Sequence, residues 1–533
     1  MCKRLVFILI FAVTALQAQQ QQKPVWQSDN GDGTYTNPVL NADYSDPDAI
    51  RVGDVFYMTA SSFNCIPGLP ILKSYDLVNW SLIGHALVKQ PPYDVYSKPQ
   101  HGNGVWAPCL RYHNNEFYIY YPDPDYGIYV VKSKKIEGPW SVPVLVKEGK
   151  GLIDPSPLWD DNGKAYLVYA FAGSRAGVKS MLTICSLSVN GLYTQNDDVL
   201  VFDGHDEEST VEGPKIYKKE GFYYIFAPAG GVATGWQTVF RSKSIYGPYE
   251  KRKVMHQGAT AVNGPHQGAW VQTAKGEDWF LHFQDKGTPG RVVHLQPMKW
   301  QNDWPIIGED KDGDGIGEPV TKYRKPNVGK NFQVVFPPEG DEFNIPKLGL
   351  QWQWHANPQV TWGLPGSYGY YMLNCIPKPE GAVNLYDIPN LLLQKFPNEV
   401  FTATAKVECN FHSDDEEAGL VVMGLDYGYL KLKTVSGRLC VMPMVCTNAD
   451  KKQPERSISM AMLYGKEVYL RVKVDNSSCT FSYSEDGVNY TDAGTSFKVR
   501  EGKWIGAKVG FTALRNGFIN DAGNIKIDWI RIN

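Results

Sequence analysis

Five segments of this chain repeat one pattern, a tight polar turn followed by an aromatic strand. They are VGDVFYMTASSF (52–63), NNEFYIYY (114–121), NGKAYLVYAF (162–171), EGFYYIFA (220–227) and GEDWFLHF (276–283). Aligned on Tyr57, Tyr118, Tyr166, Tyr223 and Phe280, they are separated by 61, 48, 57 and 57 residues. A second motif keeps the same beat: SKKIEGPW from Ser133 and SKSIYGPY from Ser242 lie 109 residues apart, about two steps. A repeat of this length, with several short strands in each unit and almost no helical periodicity, reads as a β-propeller. Five units predict five blades over about residues 30–335. The competing reading is a β-sandwich with chance similarity.

The strand before each aromatic strand sharpens the expectation. These strands read SDPDAIRV, WAPCLRY, IDPSPLWD, EGPKIYK and HQGAWVQT, and they open on Asp46, Trp106, Asp154, Glu212 and His266. Those landmarks precede the aligned aromatics by 11, 12, 12, 11 and 14 residues. In a propeller the innermost strands line the axis, so equivalent positions form a ring at one end of it. The ring would hold three carboxylates, one Trp and one His. Acidic residues are poor strand formers, and burying them needs a partner or a use. Asp-Pro is also common in ordinary turns, and three acids can cage a metal. Asp48, by strand alternation, falls on the same side as Asp46 but further down the strand. Asp43 belongs to the loop, and neither of these two is given a chemical role.

Carboxylates facing one another across a pocket suit glycoside hydrolysis: one donates a proton to the leaving oxygen while another stays ionised to activate water. The segments NPVLNADYSDPD, GVWAPCLRY, GLIDPSPLWDDNGKAYLVYAF, TVEGPKIYKKEGFYYI and GRVVHLQPMKW together resemble glycoside hydrolase family 43. The resemblance implies an inverting five-bladed propeller enzyme acting on xylose- or arabinose-containing polysaccharides. It implies Asp46 as general base, Glu212 as general acid with a raised pKa, and Asp154 as the acid that orients Glu212. It also implies substrate contacts from Arg291 and pocket walls from Phe63 and Trp106. His266 matches a histidine near the axis that in the family is sometimes associated with a bound metal ion, a purely structural role being equally open. No cofactor is implied as required, and no metal ligand is assigned. A structural calcium ion is the one allowance. The stretch EDKDGDGIGEP places Asp310, Asp312, Asp314 and Gly315 as in the first half of a calcium loop, but Thr321 stands where the bidentate Glu belongs. A solvated turn is the expected reading.

The C-terminal third breaks the repeat after PPEGDEF at 337–343. Alternating segments FTATAKVECNF, EVYLRVKV and NIKIDWIRI then predict an antiparallel, concanavalin-like β-sandwich over 338–533. Its expected part is support plus one wall of the pocket. The fold class is thus all-β throughout.

Composition sets the remaining bounds. With 53 basic and 56 acidic residues there is no electrostatic footprint for nucleic acid. The 31 Tyr and 15 Trp supply flat faces suited to sugar rings, though large all-β proteins are aromatic-rich in any case. Partners are therefore expected to be oligo- or polysaccharides, with the oligomeric state unread. The opening MCKRLVFILIFAVTALQAQQ reads as a secretory signal over 1–18, and no later run is long enough to span a bilayer. Export, to the periplasm or beyond, is the expectation. Nine scattered Cys include no C-x-x-C pair, which argues against a zinc or redox motif. Cys440 and Cys446 are close enough in sequence to pair. A carbohydrate-binding propeller without catalysis is the alternative function, and the presence of all three acids argues against it.

Overall fold

The structure is a computed structural model that describes residues 23–517 and 520–533. The signal reading at 1–18 lies outside the described residues. The repeat becomes five four-stranded antiparallel sheets, each a simple meander. Blade I comprises Asp48–Val52, Val55–Thr59, Gly68–Ser74 and Trp80–Leu87. Blade II comprises Cys109–His113, Glu116–Asp123, Gly127–Ser133 and Val144–Glu148. Blade III comprises Leu152–Trp159, Ala165–Phe171, Met181–Leu187 and Val199–Asp203. Blade IV comprises Lys215–Lys219, Phe222–Ala229, Trp236–Ser242 and Glu250–Met255. Blade V comprises His266–Gln272, Asp278–Asp285, Arg291–Gln301 and Trp304–Ile307. All five aligned aromatics fall on the second strand of a blade.

Those second strands are apolar on both faces because each blade is covered on both sides. Five separate cores follow, one at every blade-to-blade seam. Blades I and II share Leu69, Ile71, Phe117 and Tyr121. Blades V and I close the circle over Ala49, Phe56, Trp279 and Leu281. A single blade cannot bury its faces alone, which is why the repeat is needed for stability. The N-terminal segment helps close the ring. Thr34–Thr36 pairs antiparallel with Lys322–Arg324, and Leu40 bridges Val293 of blade V.

Inside the ring the first strands are joined by polar groups. Asp48, fully buried, accepts from Leu110 N at 2.6 Å and from the Arg111 guanidinium at 2.8 Å. Arg111 also donates to Ser156 Oγ, which accepts from Ile216 N. Buried Lys215 donates to Pro108 O at 3.0 Å. Four blades are thus tied across the axis by hydrogen bonds that satisfy one another.

The C-terminal part packs a nine-stranded sheet on a seven-stranded one. Strands Val400–Asn410, Glu467–Asp475 and Asn524–Ile532 lie side by side in the seven-stranded sheet. Their alternation points Val468, Leu470, Val472 and Val474 into the core between the sheets. Cys440 and Cys446 lie near opposite ends of strand Arg438–Cys446 and are unpaired, as are the other described cysteines.

The two domains meet along a hydrogen-bonded seam. Ile66 and Trp354 exchange backbone hydrogen bonds, Asn64 donates to His355 O, and Ala507 N donates to Thr288 O. Asn357 and Gln90 bond reciprocally through side chain and backbone.

Candidate active site

The three carboxylates sit where strand geometry breaks. Asp46 precedes the first strand of blade I with φ of 55°, and Asp154 lies at a bulge in the first strand of blade III with φ of 57°. Asp is one of the few side chains that tolerate this left-handed region. The reversal turns each carboxylate out of the sheet's alternation and into a pocket of about 750 Å³. Every residue singled out for the site lines that pocket: Asp46, Phe63, Trp106, Asp154, Glu212, His266 and Arg291.

Asp46 is surrounded by donors. Ser45 Oγ and Ser61 Oγ donate to its Oδ2 at 2.7 and 2.5 Å, and Arg291 Nη1 lies 3.5 Å from its Oδ1. Arg291 is itself placed by Asp43, whose carboxylate accepts from Arg291 N at 3.0 Å, and by a bond to Ser45 Oγ. Asp43, left without a role by the sequence, therefore holds the arginine's backbone.

Glu212 faces the pocket from the other side. Its Oε1 lies 2.9 Å from Nε2 of His266, a residue only 1 % exposed. Asp154 does not contact the Glu212 side chain through a hydrogen bond. It accepts instead from the amide of the next residue, Gly213, at 2.7 Å. Gly213 has φ of +61°, and a Cβ there would strike Gln267 at 2.6 Å, so only glycine fits this turn. Asp154 thus fixes the backbone that presents Glu212. Burial first, and the Glu212 charge second, push the Asp154 carboxyl up from the ordinary carboxylate range, and Asp46 adds to the effect.

The walls are aromatic. Phe63 and Trp106 meet edge to face with ring centroids 6.4 Å apart. A third ring, Trp504, stands 6.4 Å from Trp106 and 5.7 Å from the Arg291 guanidinium.

The comparisons with known proteins agree with this geometry. The model for "Glycosyl hydrolases family 43" matches residues 35–305, more than half of the chain. This chain belongs to glycoside hydrolase family 43. A second model, "Beta xylosidase C-terminal Concanavalin A-like domain", matches residues 340–533 of the same family 43 enzyme. A beta-xylosidase of Formosa agariphila is 32% identical, over 99% of this chain and 97% of its own. A non-reducing end alpha-L-arabinofuranosidase of Bacteroides ovatus is 31% identical, over 75% of each chain. The crystal structure of a xylan beta-1,4-xylosidase from Bacillus halodurans superposes with a TM-score of 0.82 at 25% identity, covering 93% of this chain and 99% of that one. The chain is therefore a glycoside hydrolase, of a family that uses no cofactor.

For this family 43 hydrolase, sequence reasoning missed two kinds of site residue. Ser45 and Ser61, which donate to Asp46, lie within the quoted segments and could have been read as donors. Trp504 could not, because nothing in REGKWIGAKVG marks it. It reaches the pocket from the sandwich on a loop that packs on Gly102, where a Cβ would lie 2.4 Å from Lys503. Asp310, Asp312 and Asp314 each bring a carboxylate oxygen within 4.8 Å of the others, in a turn closed by its own backbone amides. Asp310 accepts from Gly313 N and Gly315 N, Asp314 accepts from Ile316 N, and Thr321 gives its carbonyl to Asn37 N.

Proposed function

We propose that this hydrolase releases single xylose or arabinofuranose residues from the ends of hemicellulose chains, with inversion. The observation that carries the reading is the division of the pocket. Asp46 lies among hydroxyl and guanidinium donors on one side, and Glu212 lies against His266 on the other. A carboxylate held by donors suits the base that takes a proton from water, and the Glu212 side suits protonation of the leaving oxygen. Burial, with the charges of Glu212 and Asp46 beside it, raises the Asp154 carboxyl, so this acid holds a proton more readily than an isolated aspartate. Arg291 has the planar fork to engage two sugar hydroxyls, and Phe63, Trp106 and Trp504 offer ring faces to the sugar. Closure of one wall by Trp504 favours a chain end over a chain interior. The names of the relatives support both pentoses, since specificity lies in pocket shape rather than in the acids. The basic-then-apolar opening of the chain supports export.

The test separates the two acids. Glu212→Gln keeps the shape but supplies no proton, so it should slow xylobiose cleavage by about 10²–10⁴-fold. A dinitrophenyl xyloside, whose leaving group needs little protonation, should be cleaved far better by the same variant. Equal slowing of both substrates would reject Glu212 as the acid.

A further inference from the structure

Two reactive side chains that the chemistry above does not use meet across the seam between the domains. Cys65 lies just after Phe63, and Lys508 opens the strand Lys508–Arg515 just after the loop carrying Trp504. Both are buried, at 2 % and 4 % exposure. Lys508 Nζ lies 2.9 Å from Cys65 Sγ and donates to Gln353 Oε1 at 3.1 Å. Gln353 is held in turn by Pro67 O, so the amine is aimed at the sulfur by a fixed neighbour. A second buried lysine, Lys395, faces the same place; burial lowers its ammonium to about 8, against the pull of Asp43. A cavity of about 20 Å³ beside Gly502 and Gly506 ends on Lys508. That is room for one molecule of the size of water, and so for a small oxidant.

We propose that Cys65 and Lys508 are a modification site, joined on oxidation through a single oxygen atom as a Lys–NH–O–S–Cys bridge. With dioxygen as oxidant, the neutral amine, the thiol and one O₂ give the bridge and one water. One N–H bond, the S–H bond and the O–O bond break, and an N–O and an S–O bond form. Both released hydrogens leave on the second oxygen. Nitrogen and sulfur each give up two electrons, and dioxygen takes all four. With hydrogen peroxide, two molecules accept the same four electrons and three waters leave. The thiol first becomes the hydroperoxide Cys–S–O–OH, by taking up O₂ or by reaction with two molecules of peroxide that leave two waters. The Lys508 amine held beside it then attacks the sulfur-bound oxygen, the N–O bond forms as the O–O bond breaks, and the departing hydroxide takes the amine's proton as water. The separation fits a one-atom link; a direct S–N bond would have to draw two buried backbones together. The bridge ties the segment of Phe63 to the loop of Trp504, and so fastens two walls of the pocket to each other.

The full chain, held in air-saturated buffer or treated with hydrogen peroxide, is alkylated, digested and weighed peptide by peptide. The expected species joins the Cys65 and Lys508 peptides, one oxygen heavier and two hydrogens lighter than their sum. Excess dithiothreitol should abolish it, returning amine and thiol and releasing the oxygen as water. The oxidised protein should melt above its reduced form, and Cys65→Ser should lose both the joined species and that gap. Three results would each overturn the proposal: Cys65 recovered as a free alkylated thiol, Cys65 carrying oxygen without Lys508, or the two peptides joined without the added oxygen.

Discussion

Asp46 and Asp48 stand on one short segment, are both buried, and live in opposite electrostatic worlds. Asp48 is a paired anion: through its Oδ2 a guanidinium and a backbone amide, and beyond them a serine hydroxyl, connect it to blades II, III and IV. Asp46 keeps one face to the pocket and is held by hydroxyls, with its guanidinium at 3.5 Å rather than in a tight pair. The contrast extends to Asp154, which has no cation in hydrogen-bond reach and whose carboxyl is pushed up by burial and by Glu212. The lower part of the axis uses charge to hold blades together. The upper part tolerates poorly compensated charge, which is where reactive groups are found.

The largest expected effect breaks the pocket side of this contrast. Asp46→Asn should leave the melting temperature nearly unchanged and lower kcat on xylobiose by about 10³–10⁴-fold, because water loses its proton acceptor. Near-normal turnover in a folded Asp46→Asn protein would remove Asp46 from the chemistry. Asp48→Asn should do the reverse. Leaving Arg111 without its counter-charge should cost about 3–5 kcal/mol of stability, read by denaturant unfolding, while the molecules that remain folded keep their turnover.

A smaller effect sharpens the comparison through pH. The folded protein holds the Asp154 proton more tightly than the unfolded chain does. As pH rises from the ordinary aspartate range through the raised value, the unfolded chain gives up its proton first, and stability falls. Asp154→Asn removes that loss. The variant should therefore gain on the parent as pH rises through this window, by about 0.5–2 kcal/mol, while losing activity. Parallel unfolding curves at pH 4 and at neutral pH would check it; a gap that does not widen with pH would contradict the assignment. The smallest effect concerns the wall. Trp504 is 45% exposed, so Trp504→Ala should barely move the melting temperature. Its kcat/KM on xylobiose should drop about 3- to 10-fold, the worth of an aromatic contact of about 0.5–1.5 kcal/mol. An unchanged kcat/KM would leave the sandwich as support alone.

Much of this arrangement was legible in the residues. The aromatic repeat specified five blades because each second strand must be covered on both faces, and continuous apolar runs such as YLVYAF record that directly. The landmarks ahead of those strands located the ring of acids, since equivalent positions in a closed repeat must meet at the axis. Alternation put Asp48 on the same side as Asp46 but further down the strand, and there it bonds across the axis. The positive φ at Asp46, which turns that carboxylate into the pocket just before the strand begins, leaves no mark in composition.

By itself, then, the sequence determined what local periodicity and repetition can encode: an all-β chain, five blades, a sandwich after them, and three acids at strand mouths. Tertiary structure alone decided which acid is paired across the blades and which faces the pocket, because pairing depends on neighbours from other blades. It also decided that Trp504 lines the pocket and that Lys508 meets Cys65. Those contacts join positions hundreds of residues apart, and they exist only because the seam between the domains brings one loop of the sandwich over the mouth of the propeller.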